Sequence, residues 1–350
     1  AVEPIPLTLD RLLWLVLLVQ YIVWRRLHGA AAKPIGWPDL ILGLFVAMLG
    51  LSALALNWEA RDLPAMSKLL FFFMMPCGVY WAARQSRISG PAVTGVLVCL
   101  TLFGIYLAVT AVGERYSLPW MVFPPYVLSP EYPEFLGRAR GPLLTPIGNG
   151  IYLGTCLAAG WLWFTRLGRW GKAAMLPMLA LVTGGVYLTL TRSVWMGAGL
   201  GLLLVVAATV PRAWRASIVA GSLIAVSVVA ATQWEKLLSY KRDKALSAEE
   251  TAESAKLRPI LATVAWRMFL DRPLWGCGLG RYVEVSKEYL ADRNSDLPLE
   301  KARPFVQHNV LLALLTETGA IGMGLFALLL ALWSREAWRL WRRPEHTAEQ

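Results

Sequence analysis

Five basic side chains stand where charge is costly. Lys68, Arg140, Arg192, Arg267 and His308 fall at or beside the ends of long apolar runs. Ionisable groups so close to a hydrocarbon core are functional unless they sit at an interface. Arg192 lies in Leu190-Thr191-Arg192-Ser193-Val194, between two apolar runs that only a tight turn can separate. Two readings are open for it: an interfacial arginine reaching lipid phosphate, or a ligand for a bound anion. Arg267 follows Trp266 on an amphipathic stretch and is either a solvated charge or a second anion ligand. Arg140, preceded by Arg138, stands before Gly141-Pro142 at the mouth of another apolar run. Guanidinium forks give phosphate bidentate contacts, so several of them converging would suit a pyrophosphate. His308 precedes the helical pattern of Leu311, Leu312, Leu314 and Leu315. It is either a structural histidine or an imidazole that takes a proton near neutral pH.

Gly276-Cys277-Gly278-Leu279-Gly280 invites comparison with a nucleotide loop. No strand pattern precedes it and the spacing is not GxGxxG, so it reads as a tight turn between helices. Cys77, Cys99 and Cys156 lie in apolar runs and Cys277 in a polar one, without a CxxC pair. Neither a zinc site nor a disulfide framework is expected, and three histidines are too few for a His-rich metal site.

The elements that must position these residues are membrane spans. The 350 residues are 57% hydrophobic and 16% charged, with 17 Trp, against about 25% charged in an ordinary soluble domain. A bilayer core takes about 20 apolar residues per helix. Such runs lie near residues 12–24, 40–57, 69–83, 92–112, 151–164, 173–190, 194–210, 216–231 and 321–333. The expected fold is therefore all-α, a polytopic transmembrane bundle of about nine spans. Arg25, Arg26 and Lys33 join the first two spans, and Arg84 and Arg87 the third and fourth. Arg166, Arg169 and Lys172 join the fifth and sixth, and Arg212 and Arg215 the seventh and eighth. Arg335, Arg339, Arg342 and Arg343 follow the last. Every second junction is basic, which the positive-inside rule assigns to the cytoplasm. These ends account for the net charge of +11. Nucleic-acid binding is not expected, because no basic segment outside lipid interleaves with stacking aromatics. The chain opens at Ala1 without a methionine and without the pattern of a signal peptide, so upstream residues are expected.

The same alternation turns residues 1–10, 58–68, 114–149, 191–193 and 234–307 outward, with the five basic residues in or beside them. Residues 1–233 are then a transmembrane bundle of eight spans with an outer excursion over 114–149. Residues 234–307 form a large outer loop, and 308–350 a loop-exit helix, the last span and a cytoplasmic tail. The excursion holds Pro119, Pro124, Pro125, Pro130, Pro133, Pro142 and Pro146, which predicts ordered coil with short helices at most. The large loop reads as helices. Ser247 and Glu250 fit a capping box, and Leu257, Ile260, Leu261, Val264 and Met268 recur on one apolar face. That helix should stop near Arg272-Pro273. A second should cover residues 282–290, and a third should begin near Glu300 and run past His308 toward Glu317.

Taken in order, these fragments resemble the O-antigen ligase superfamily. The resemblance rests on Thr191-Arg192-Ser193, on Trp266-Arg267, and on Arg272-Pro273-Leu274-Trp275-Gly276-Cys277-Gly278-Leu279-Gly280. It rests further on His308-Asn309 and Glu317-Thr318-Gly319-Ala320-Ile321-Gly322. Arg140-Gly141 before Pro146 and Asn149 fits too, although the family more often has Pro and Asn adjacent. The likeness covers about residues 68–322. It implies a helical fold of the GT-C kind and a glycan donor linked to undecaprenyl diphosphate. It also implies chemistry on the periplasmic side of the bacterial inner membrane with no cofactor and no required metal. By the resemblance His308 corresponds to the catalytic base, Arg192 and Arg267 to the diphosphate-binding pair, and Arg140 and Lys68 to further donor ligands. The acceptor would be lipid A-core in a ligase, a growing glycan in a polymerase, or a protein hydroxyl in an O-oligosaccharyltransferase. The family usually has about twelve spans, so this chain is a shorter member or lacks spans at either end.

Two rivals remain at this point. A metal-dependent oligosaccharyltransferase would want acidic residues in the first outer loops, where Glu59, Asp62 and Glu114 are available but not clustered. A flippase for the same lipid would place polar groups at mid-span, whereas the spans here are almost purely apolar.

Overall fold

The computed structural model describes residues 9–28, 32–57, 64–86, 88–131, 135–239, 248–290, 298–302 and 309–342. Every regular element among them is helical. In chain order these are α1 (Leu9–Leu27), α2 (Trp37–Asn57), and α3 (Pro64–Lys68), which continues through a π segment (Leu69–Met74) into α4 (Met75–Gln85). Then come α5 (Gly90–Tyr116), α6 (Pro146–Arg166), α7 (Arg169–Leu188), α8 (Arg192–Thr209) and α9 (Arg212–Ser239). The last are α10 (Ala248–Asp271), α11 (Tyr282–Leu290) and α12 (Val310–Arg342). The all-α membrane fold expected from the apolar runs is the fold observed.

All nine expected spans coincide with helices to within two residues at their ends, but only six stretches among the described residues are long and apolar enough to cross a bilayer. These are Trp37–Leu54, Ala65–Gln85, Gly90–Tyr116, Arg169–Leu188, Arg192–Thr209 and Val310–Arg339. The remaining three are diluted by polar residues. Helix α1 carries Asp10, Arg11, Arg25 and Arg26 within 19 residues. Helix α6 holds Asn149 and four glycines, and α9 is apolar only over Ala213–Ala225.

The chain forms two compact units, Ala1–Ile88 with Ala252–Pro344, and one built on Ser89–Thr251. In the second unit α5 to α8 pack around Leu107, Ala108, Leu153, Leu157, Met175 and Val182. Close approach depends on glycine: a Cβ at Gly104 would sit 2.5 Å from that of Cys156. The basic junctions gather at one end. There Arg166 donates to Thr94 Oγ1 (3.0 Å), and Arg215 to the carbonyls of Val210 (3.2 Å) and Ala208 (3.1 Å). The excursion between α5 and α6 and the Thr189–Arg192 turn form the opposite end.

In the first unit α2, α3 and α12 share a core of Phe45, Leu49, Ala53, Ala65, Leu69 and Leu279. Trp14 of α1 donates its indole N–H to the Met75 carbonyl (2.9 Å), where the π segment gives way to α4. Arg84 pairs with Asp39 (2.6 Å) at one end of this span. Lys68, sixteen residues away, stands about 24 Å off at the other. The face of α10 expected from spacing is the one buried: Ile260, Leu261, Val264 and Met268 pack on Tyr282, Val285, Leu290 and Leu299. Helix α10 ends at Asp271 and α11 covers Tyr282–Leu290, both as expected. The third expected helix is represented by a 3-10 turn at Leu299–Ala302 and then by α12 from Val310; residues 303–308 lie outside the described residues.

Candidate functional site

Arg192 is the first helical residue of α8, after Thr191 as N-cap. Trp161, five residues before the end of α6, donates to Thr209 Oγ1 at the other end of α8 (3.0 Å). Counting 1.5 Å per residue from there puts Arg192 about 33 Å from the basic end of the unit, at the far boundary of a core about 30 Å thick. The turn that carries it is fixed from outside. Ala139 donates its N–H to the Leu188 carbonyl (3.0 Å). Arg138 donates through Nε to the Thr189 carbonyl (3.2 Å) and through Nη2 to Thr191 Oγ1 (2.6 Å). Arg138 is 5% exposed. It therefore acts as the brace of the Arg192 turn.

Arg140 is buried more deeply, at 1% exposure. Its Nη2 donates to the Val127 carbonyl (2.6 Å), and its charge faces Glu114. Burial lowers its pKa from the usual guanidinium value, and the Glu114 carboxylate opposes that. Glu114 in turn accepts the backbone N–H groups of Gly141 (2.9 Å) and Arg140 (3.1 Å). Asn149 Nδ2 donates to the Ala139 carbonyl (3.0 Å). A buried charge pair of this kind, with amides on the remaining lone pairs, fixes the path of residues 138–141.

The first unit carries a second constellation. Helix α12 is broken at Gly319 (φ 66°, ψ −166°), and the glycine turn docks into the break. Cys277 donates to the Thr316 carbonyl (2.8 Å) and Gly278 to that of Glu317 (3.1 Å), while Ala320 donates to Pro273 (2.8 Å). A Cβ on Gly276 would come within 2.6 Å of the Thr316–Thr318 backbone, and Gly276, Gly278 and Gly280 have φ of 69°, 105° and 80°. Only glycine takes this path without strain. Glu317 Oε2 accepts the Gly280 N–H (2.8 Å), and the carboxylate also accepts the Tyr282 amide and lies in the field of Lys68. A Cβ on Gly280 would sit 3.5 Å from Lys68 Nζ. Lys68 thus stands over the glycine turn, at the first residue before the π segment. Burial, and then the Glu317 charge, push the Cys277 thiol up to about 11, and burial pushes Tyr282 up to about 12.

The five basic residues singled out above are therefore distributed as follows. Arg192 and Arg140 belong to one unit and are joined through residues 138–141. Lys68 and Arg267 belong to the other. Arg267 is half-buried on α10, beside the exposed Trp266. His308 lies outside the described residues; the next residue, Asn309, caps α12, its Oδ1 accepting the N–H groups of Leu311 (2.9 Å) and Leu312 (3.2 Å). Glu59 and Asp62 are likewise outside the described residues. Three participants escaped the sequence reading: Arg138, Glu114 as the partner of Arg140, and Glu317 as the anchor of the glycine turn. The two carboxylates left a signal, each being an acid at the edge of an apolar run, where charge is rarely idle. Arg138 left none beyond its adjacency to Arg140.

Fold and site together define a multi-pass helical membrane protein with cationic groups held at one end of each unit. Residues 177–327 match the family model described as O-antigen ligase, and over that stretch the chain is similar to the O-antigen ligase superfamily. The matched stretch contains Arg192, Arg267, the glycine turn and the break in α12. The match supports glycan transfer of the ligase or polymerase type in general, a reaction that in this family joins a lipid-linked glycan donor to a glycan acceptor in a membrane. Neither a curated protein nor a solved structure matches the chain.

Proposed function

We propose that the chain transfers a glycan from undecaprenyl diphosphate to an acceptor hydroxyl at the periplasmic face of the inner membrane. The reaction inverts the anomeric centre, and lipid A-core is the acceptor, as in an O-antigen ligase. His308 takes the proton from the acceptor hydroxyl as that oxygen forms its bond to the anomeric carbon. The bond from that carbon to the diphosphate oxygen breaks, and undecaprenyl diphosphate departs. Arg192 and Arg267 stabilise the charge growing on it, each contributing about 3 kcal/mol in the transition state. Lys68 adds a third positive charge. Arg140, given its burial, acts by positioning: with Glu114 it sets residues 138–141, and Arg138 holds the turn from which Arg192 projects. No metal or cofactor enters the scheme.

The observation that carries this reading is Arg192. A cation at the first turn of α8, at the far boundary of the core and braced by a buried second arginine, is the arrangement an anionic lipid headgroup requires. The test uses the purified full chain in detergent, with undecaprenyl-diphosphate-linked glycan and lipid A-core. His308→Ala is expected to retain donor binding while transfer stops. Transfer at the native rate by that variant would remove the assignment. Transfer to growing glycan or to protein, but not to lipid A-core, would move the chain to the polymerase or protein-glycosylating branch. Transfer in detergent, where no sealed compartment exists, also excludes a purely flipping role.

A further inference from the structure

The excursion between α5 and α6 presents large aromatic side chains to its surroundings instead of burying them. Trp120 is 81% exposed, Phe123 67% and Tyr116 66%. Their height in the unit is fixed by α5. Tyr106 donates its hydroxyl to the Phe123 carbonyl, and a Cβ on Gly113 would meet Val122 and Met121. The chain therefore turns back after Tyr116 and packs on α5 between Tyr106 and Gly113. Those residues lie about 24 and 35 Å from the start of α5 at 1.5 Å per residue. That interval straddles the edge of a hydrocarbon core about 30 Å thick.

Backbone at this depth must satisfy its polar groups internally, and much of this segment does so. Val122 donates to Pro119 (3.1 Å), Val127 to Pro124 (3.2 Å) and Ser129 to Tyr126 (2.9 Å). Tyr126 donates to the Pro142 carbonyl (2.7 Å) and Arg140 to that of Val127. Pro119, Pro124 and Pro125 have no N–H to satisfy at all. The exposed aromatics run on into exposed Ile147, Ile151 and Tyr152 of α6 and Phe103 of α5, so the patch continues the lipid-facing side of the bundle.

From this geometry we infer that residues 117–128 are not a free outer loop but a segment seated in the bilayer, with Trp120, Phe123 and Tyr126 in the headgroup–acyl boundary of the leaflet away from the basic junctions. The occupant of the patch is phospholipid. Tryptophan and tyrosine favour that zone because one part of the ring is apolar and another donates hydrogen bonds. The seat fixes the height of residues 138–141, and with them that of the Arg192 turn, relative to lipid phosphate.

The experiment places a photo-crosslinking amino acid at position 120 of the full chain in phospholipid nanodiscs, and at the exposed Glu131 of the same excursion as a comparison. Lipid adducts read by mass spectrometry are expected to be several-fold more abundant at 120 than at 131. Equal yields at the two positions, or crosslinks at 120 to a second copy of the chain, would overturn the inference. Hydroxyl-radical footprinting of the unsubstituted chain supplies an independent reading. Trp120 is expected to be protected in nanodiscs, and oxidation at the rate of a water-exposed tryptophan would be equally fatal.

Discussion

Replacing Gly319 by alanine tests the docking of the glycine turn into α12. The residue sits at φ 66° and ψ −166°, a region open essentially to glycine alone, where another residue costs about 1–3 kcal/mol. A Cβ there would run into the Leu274 carbonyl and approach the Trp275 amide nitrogen to 2.7 Å. Backbone cannot rotate aside as a side chain can, so the loop would have to lift. Lifting it would break the bonds from Ala320 to Pro273 (2.8 Å) and from Ile321 to Leu274 (3.3 Å), about 1 kcal/mol each. Gly319→Ala should therefore destabilise the first unit by about 3–5 kcal/mol, a fall on the order of 10 °C in Tm at 2–4 °C per kcal/mol. A thiol-reactive fluorophore that reaches Cys277, buried in that unit, on unfolding reports the transition. Gly324→Ala on the same helix meets nothing within 4 Å, and should leave Tm unchanged or slightly raised, since alanine favours helix by about 1 kcal/mol. Equal Tm values for the two variants would refute the reasoning, because the glycine at 319 would then not be required by the break.

Other outcomes follow from the same geometry. Arg140→Met strands the Glu114 carboxylate in the interior and should cost about 3–5 kcal/mol, while adding Glu114→Gln should recover part of it; thermal unfolding of the single and double variants measures both. Asn309→Ala removes the acceptor for two amides at the start of α12 and should cost about 1 kcal/mol, seen as faster amide exchange at Leu311 and Leu312. The thiol of Cys277, pushed from about 9 when unfolded up to about 11 when folded, should resist alkylation at pH 8 in the native chain and react on denaturation. A pKa raised on folding means stability fully present below pH 9 and lost as pH rises toward 11. Tyr282 and Tyr289, both pushed up to about 12, extend that loss upward, so Tm against pH should fall on the alkaline side.

Much of this molecule was determined by the sequence alone. Apolar runs of span length dictate helices, because lipid cannot hydrogen-bond a bare backbone, and α2, α5, α7 and α8 lie where those runs lie. The face of α10 and the bounds of α11 were legible for the same local reason: their periodicity and their flanking Pro and Gly act within a few residues. The order of motifs was enough to point to the family. Tertiary structure decided what spacing cannot encode. Arg138 and Arg140 look equivalent in sequence, yet one braces the Arg192 turn and the other is buried with Glu114, because that choice depends on partners 26 to 53 residues away. The glycine turn carries three positive φ values only because a broken helix 40 residues downstream leaves a groove of carbonyls for its amides to fill. And the proline-rich excursion, ordered coil by its sequence pattern, folds back along α5 to membrane depth. A hydroxyl on Tyr106 and a missing side chain at Gly113 decide that, not any property of the excursion read by itself.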